Sequence, residues 1–174
     1  MFALINYQNC VVSLSDSKFE VSNLFSWVEV PENTVVNAGY IYNNGAFIDP
    51  RYPTLPQARL YQSRLLSSAC QAAICRGFKS TALGVDNVYA SDATDQRNIV
   101  QSAQSTKGGL VSLYNLTTNA WERTAHTQAQ AQQVLEDFVT FRDTLRAQLG
   151  TFEAQITAAT TIDDIKTIVW KEVP

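Results

Sequence analysis

The chain has one histidine, one methionine and three cysteines among 174 residues, and only 17% of its residues are charged. A single histidine, His126, leaves histidine-based acid–base or metal chemistry one residue to work with. Three cysteines, Cys10, Cys70 and Cys75, are an odd number, and a disulfide framework is not their natural reading. Buried free thiols are expected instead. Lysine and arginine are scattered, the formal net charge is −3 and the pI is near 5.1, so no basic footprint points to nucleic acid. No apolar run approaches the roughly 20 residues of a membrane helix. The opening MFALINYQNC also lacks the charged region, apolar stretch and cleavage site of a signal peptide. The expectation is a protein made in a cytoplasm and kept there until it is assembled elsewhere, with no membrane insertion.

What is present is enough for a core. Hydrophobic residues make up 45% of the chain, and amides and hydroxyls supply much of the remaining surface. The length suits one ordinary domain or a small module joined to a larger one. The most legible stretch is Trp27 to Pro50, where Asn44-Gly45 separates Tyr40-Ile41-Tyr42 from Ala46-Phe47-Ile48. Both turn residues tolerate positive φ, as a two-residue type I′ hairpin demands. Phe2 to Leu14 reads as two short strands broken at Gln8-Asn9, and Phe19 to Val21 and Phe25 to Val30 as two more. Together these predict a small antiparallel β-module over residues 1–50, marginal alone and in want of a partner surface.

Residues 51–56, with their flank, hold three of the five prolines and read as a stiff linker. Residues 57–174 then read as a mainly helical domain. A helix is predicted from about Pro56 to Arg76, stopped by Gly77. Phe78 to Tyr89 reads as irregular or short-stranded. A second helix carries Ile99, Val100 and Ala103 behind N-cap candidates in Ser91 to Asp95, and Leu110 to Tyr114 and Ala120 to Arg123 make a second hairpin. Thr127 can cap the longest helix, in which Ala131, Val134, Leu135, Phe138, Phe141, Leu145 and Leu149 keep a 3–4 spacing to Gly150. Phe152 and Ile156 continue it past a kink. A terminal helix follows from Thr161, carrying Ile162, Ile165, Ile168 and Val169 and ending near Trp170. The fold class is α+β: a small N-terminal antiparallel β-module, then a mainly helical domain with one β-hairpin.

A search for chemistry returns little. His126 reads as a surface or cap-adjacent side chain, because no serine or cysteine beside it forms a nucleophile motif. Cys70 and Cys75 lie five apart on a helix and so on different faces, against any C-x-x-C geometry. Asp92 with Asp95, and Asp163 with Asp164, are the close carboxylates worth testing as acid–base pairs or cation ligands. Both pairs sit at helix starts, where capping explains them. Lys107-Gly108-Gly109 lacks the rest of a phosphate loop and reads as a turn. No catalytic, metal or cofactor-binding residue is assigned, and the chain is not expected to be an enzyme. The aromatics Trp27, Tyr40, Tyr42, Phe47 and Tyr52 are the candidate interaction residues. The alternative for them is the core of the small sheet and its seal against the helices.

The N-terminal segment, MFALINYQNCVV followed by W-V-x-x-P at Trp27 to Pro31 and by Gly39, Tyr42, Gly45, Phe47 and Pro50 in the pattern G-x-x-Y-x-x-G-x-F-x-x-P, resembles the short N-terminal module of many tailed-bacteriophage tail proteins. The remainder is similar to a C-terminal domain of unknown function found at the end of phage tail and tail-fibre proteins. The residues that carry this are Cys70 to Ile74 before Gly77-Phe78, then Gly84, Tyr89, Asp95-Gln96-x-Asn98, His126-Thr127, Ala159 to Thr161 and Ile168-x-Trp170. That family has no established catalytic residues, and none is carried over. The resemblance implies a virion structural component: a tail-fibre, baseplate or tail-tip protein located in the tail. It implies partners among other tail or fibre proteins and self-association, a trimer favoured, and leaves room for contact with the host surface. A tail-fibre assembly factor that does not persist in the particle is the alternative.

Overall fold

The computed structural model describes residues 1–172, which form two compact units: Met1–Tyr61 with Ala159–Ile165, and Gln62–Ala158 with the residues from Lys166 onward. The α+β class predicted from the sequence is what the chain adopts.

In the first unit, β1 (Phe2–Asn6), β2 (Val11–Ser15) and β3 (Phe25–Glu29) form an antiparallel sheet in the order β2-β1-β3. The β1–β2 turn falls at the polar break because the Asn6 side chain holds it, its Oδ1 accepting from the backbone N–H groups of Gln8 at 3.0 Å and Cys10 at 2.9 Å. Asn9 supplies the left-handed residue, at φ 60°. The pairing then shifts by one between Leu4 and Ile5, leaving Val12 as the extra residue of a bulge.

The β4 (Ile41–Asn43) and β5 (Ala46–Ile48) hairpin turns through Asn44 and Gly45 at φ 48° and 87°, as a type I′ loop requires. It forms a two-stranded sheet of its own, where the sequence suggested a single sheet. One bridge, Cys10 to Ile41, and the bonds from Val11 N–H to the Tyr40 carbonyl and from Tyr42 N–H to the Asn9 carbonyl, both 2.8 Å, hang it on the start of β2.

The strand expected at Phe19 to Val21 is absent. The Phe19 carbonyl instead accepts the Trp27 indole N–H at 3.0 Å, so that segment is held by a side chain rather than by a ladder. Ala3, Val11, Val30 and Val36 form the core of the unit, with Leu14, Tyr40 and Phe47 packed against it. A second cluster joins Ala58, Ala159 and Ile165 to Tyr52, Leu55 and Ile162.

Helix α1 (Leu55–Ile74) begins inside the proline-rich stretch. Pro56 falls in its first turn, where its missing N–H is no loss, and the Thr54 hydroxyl accepts weakly from the Gln57 N–H. The helix closes at Ile74, two residues before the predicted end. There the Ser91 hydroxyl donates to the Ile74 carbonyl at 2.5 Å and accepts from Gly77 N–H at 2.9 Å, and Gly77 turns the chain at φ 103°.

In the second unit the predicted hairpin is present as β8 (Gly109–Asn115) and β9 (Ala120–His126). Two three-residue strands, β6 (Phe78–Ser80) and β7 (Asn87–Tyr89), extend it to a four-stranded antiparallel sheet in chain order. Phe78, Tyr89 and Leu113 stand in register on one face. With Val111 from that face they meet Ile99 of α2 (Ala93–Gln104) and Val134, Phe138 and Leu145 of α3 (Gln128–Ala158) in one core. The Phe78 ring sits at the centre, 5.4 Å from Phe138, 5.7 Å from Tyr89 and 6.0 Å from Phe141.

Thr127 and Gln130 make a reciprocal capping box at the start of α3, with backbone bonds of 2.9 and 3.3 Å. The helix runs through Gly150 as one element of 31 residues. Buried Ile156, and Phe152 against Trp170 at 5.8 Å, outweigh the roughly 1 kcal/mol that a helical glycine costs. The last helix, α4 (Ile162–Thr167), stops before Ile168, whose carbonyl accepts from the Gln62 side chain at 2.6 Å. Thr161 and Asp164 box its start through two 3.1 Å bonds.

Candidate functional site

Residues directly opposed across an antiparallel ladder share a face, and the register of the N-terminal sheet therefore sorts its side chains. Ala3 pairs with Leu14 and Val28, and Ile5 with Val11, which sends those residues to the core. Leu4 pairs with Trp27, Asn6 with Phe25 and Phe2 with Glu29, so the other face carries Phe2, Leu4, Phe25 and Trp27. Phe19, 59% exposed, lies edge-on to the Trp27 ring at 5.0 Å, and the Lys18 ammonium sits 4.7 Å over the Phe2 ring. Residues 18–19 thus lie over part of this face, where Phe2, Leu4 and Trp27 are half-buried. Phe25 keeps 37% of its surface in water.

The five candidate aromatics do not gather there. Trp27 alone is on that face. Tyr40 and Phe47 pack on the core of the unit, and Tyr42 pairs with Phe47 across the hairpin at 5.0 Å. Tyr52 packs against the Ala58, Ala159 and Ile165 cluster and lies edge-on to Tyr61 at 5.2 Å; burial pushes its phenol upward. The Tyr40 hydroxyl donates to Asp49 at 3.2 Å, and Arg51 grips the same carboxylate through Nε at 3.0 Å, Nη2 at 2.7 Å and its backbone N–H at 2.9 Å. The Arg51 bonds hold the Asp49 carboxyl down at about 2. That pair fastens the hairpin's exit and is structural.

No protein-family model, curated protein or solved structure matches the chain significantly. Its candidate site is therefore read from its own residues.

Of the two placements the sequence suggested for His126, surface or cap-adjacent, the second holds: it directly precedes the cap residue Thr127 but is not on the surface. It is 3% exposed, with Nδ1 2.9 Å from the Thr124 carbonyl and Nε2 2.9 Å from the Tyr89 hydroxyl. A carbonyl can only accept, so Nδ1 carries the proton and Nε2 accepts from Tyr89. Burial pushes that phenol up to about 12, which keeps it a donor. The pair is a satisfied polar lock inside the second unit. Gly108 packs beside it, where a Cβ would overlap the His126 carbonyl, so the Gly108 turn is fixed by space as well as by its φ of 69°.

Asp92 caps α2, its Oδ1 accepting from Thr94 N–H at 2.7 Å and Asp95 N–H at 2.8 Å, and those bonds lower its carboxyl. Asp95 is different. Burial first, and the Asp92 charge second, push it upward, and the Ser112 hydroxyl lies beside it. Asp164 is committed to Thr161. Of the three thiols, Cys70 is buried, Cys10 half-buried and Cys75 exposed, so the expectation of buried thiols fails at Cys75. Among the described residues no group of three His, Cys, Asp or Glu side chains could hold a metal, and no helix is long and apolar enough to cross a membrane.

Phe2, Leu4, Phe19 and Phe25 are the site residues that the sequence reading passed over. For Phe2 and Leu4 the signal was the unbroken apolar run Phe2 to Ile5, which marks a strand apolar on both faces rather than alternating.

Proposed function

We propose that this chain is a structural component of the tail of a tailed bacteriophage, and that it attaches to a neighbouring tail protein through the Phe2, Leu4, Phe25 and Trp27 face of its N-terminal sheet. The motifs around Trp27 to Pro50 and Cys70 to Trp170 supply the phage part of this reading. The observation that carries the attachment is the sheet itself: one face fills the core of the unit, and the other sets Phe2, Leu4, Phe25 and Trp27 among Ser13, Ser15, Asn6 and Glu29, with Phe19 and Lys18 at its border. An exposed apolar patch ringed by polar residues marks a contact with another macromolecule. Covering it would remove the phenyl rings of Phe19 and Phe25 from water, at about 25 cal/mol for each Å² of apolar surface.

Mass spectrometry of purified phage particles tests the reading. The chain is expected in the particle at a fixed ratio to other tail proteins. Its absence from particles, with the chain present in the infected cell, would favour the assembly factor and overturn the structural role.

A further inference from the structure

The outer face of the four-stranded sheet holds a second feature, independent of the first unit and of its partner. Ser112 and Tyr114 of β8 stand opposite Arg123 and Trp121 of β9, so all four side chains share the face turned away from Phe78, Tyr89 and Leu113. Trp121 leaves 60% of its surface in water and is braced edge-on by Tyr114 at 5.6 Å. Beside it an open cleft of about 420 Å³ is lined by Ala90, Asp95, Ser112, Trp121, Glu122 and Arg123. Small-molecule sites fall in the range of roughly 300–1,000 Å³.

The lining chemistry narrows the ligand. Two carboxylates line the cleft: Glu122, one of whose oxygens accepts from the Thr118 hydroxyl at 2.5 Å, and Asp95, in the first turn of α2 beside the Ser112 hydroxyl. Arg123 is exposed and, among the described residues, in no ion pair. The lining therefore mixes both signs, two carboxylates with one guanidinium. An anion meets Asp95 and Glu122, and a cation meets Arg123. A neutral polyol satisfies both, because each of its hydroxyls can donate to the carboxylate or accept from the guanidinium. A pyranose also presents a flat patch of C–H groups to a braced, exposed indole, an apolar ring with a polar rim around it.

We propose that this cleft binds a neutral saccharide, with the sugar ring stacked on Trp121 and its hydroxyls shared between Asp95, Ser112 and Arg123.

The test is a titration of the isotope-labelled full chain with methyl glycosides of glucose, galactose, mannose and N-acetylglucosamine, following the indole N–H resonances by NMR. The chain has three tryptophans, and the Trp121 signal is the one missing from Trp121→Phe. That signal is expected to move saturably with at least one glycoside. Trp121→Ala should weaken binding about tenfold or more, the equivalent of one lost stacking contact, while Asp95→Asn and Arg123→Gln each weaken it several-fold. Thermal unfolding of each variant is expected to stay at the wild-type midpoint, which separates lost binding from lost fold. The proposal is overturned if no glycoside gives a saturable shift, or if Trp121→Ala binds as the wild type does. Concentration-dependent self-association that moves the Trp121 signal without any sugar would overturn it equally.

Discussion

On the face turned from its core the β2-β1-β3 sheet sets Phe2, Leu4, Phe25 and Trp27 among Ser13, Ser15, Asn6 and Glu29, whereas the same face of the β6-β7-β8-β9 sheet carries Lys79, Val88, Ser112 and Arg123 around Tyr114 and Trp121. Both sheets fill a core with their first face. The difference lies in what each offers outward. Four apolar side chains with a polar surround suit contact with another protein. An exposed indole among polar groups of both signs suits a small polyhydroxyl ligand. Helix cover does not account for the difference, since the outer row of each sheet keeps large side chains in water: Phe25 in one, Trp121 in the other.

The comparison breaks first if the inner faces are not the stabilising ones. Phe138 is 4% exposed and meets Phe78 at 5.4 Å, so Phe138→Ala is expected to cost about 3–5 kcal/mol in denaturant unfolding, by lost burial and a cavity. Tyr89→Phe comes next. It strips the donor from the buried Nε2 of His126 and should cost about 1–3 kcal/mol in the same assay.

In the first unit the Asp49 carboxyl is held at about 2, below its ordinary 3.8. A depressed folded-state value means stability that is present above pH 4 and lost as pH falls through 4 toward 2. Arg51 is more than half exposed, so solvent screens the pair and the contribution is discounted to about 1–2 kcal/mol. Asp49→Asn should therefore lower stability at pH 7 and flatten the acid limb of an unfolding-versus-pH curve. The outer faces come last. Phe19→Ser and Phe25→Ser should each change stability by no more than about 1 kcal/mol, because both residues, at 59% and 37% exposure, lie outside the buried core. On the proposed reading their effect is on incorporation into the particle.

What could be read from the sequence followed from local chemistry. Asn44-Gly45 announced its hairpin because both residues accept positive φ, and α3 announced itself by its 3–4 apolar spacing behind the cap residue Thr127. What could not be read depended on distant partners. Strands β6 and β7 are three residues each, too short to show an alternation, and become strands only by pairing with each other and with β8. His126 looked like a surface residue because Tyr89, the hydroxyl that satisfies it, lies 37 positions away. Phe19 has the composition of a strand, yet its carbonyl goes to the Trp27 indole. The aromatic candidates were chosen by density along the chain. Register, which density ignores, sends Tyr40 and Phe47 to the core and brings Phe2, Leu4 and Phe25 to the side of Trp27.

The attachment claim is tested most directly by measuring how much of a Phe19→Ser/Phe25→Ser double variant is carried by purified particles, beside a thermal unfolding curve of the same protein. The account predicts a folded variant, with an unfolding midpoint near that of the wild type, that is missing from the particles. A folded variant incorporated at the wild-type level would contradict it.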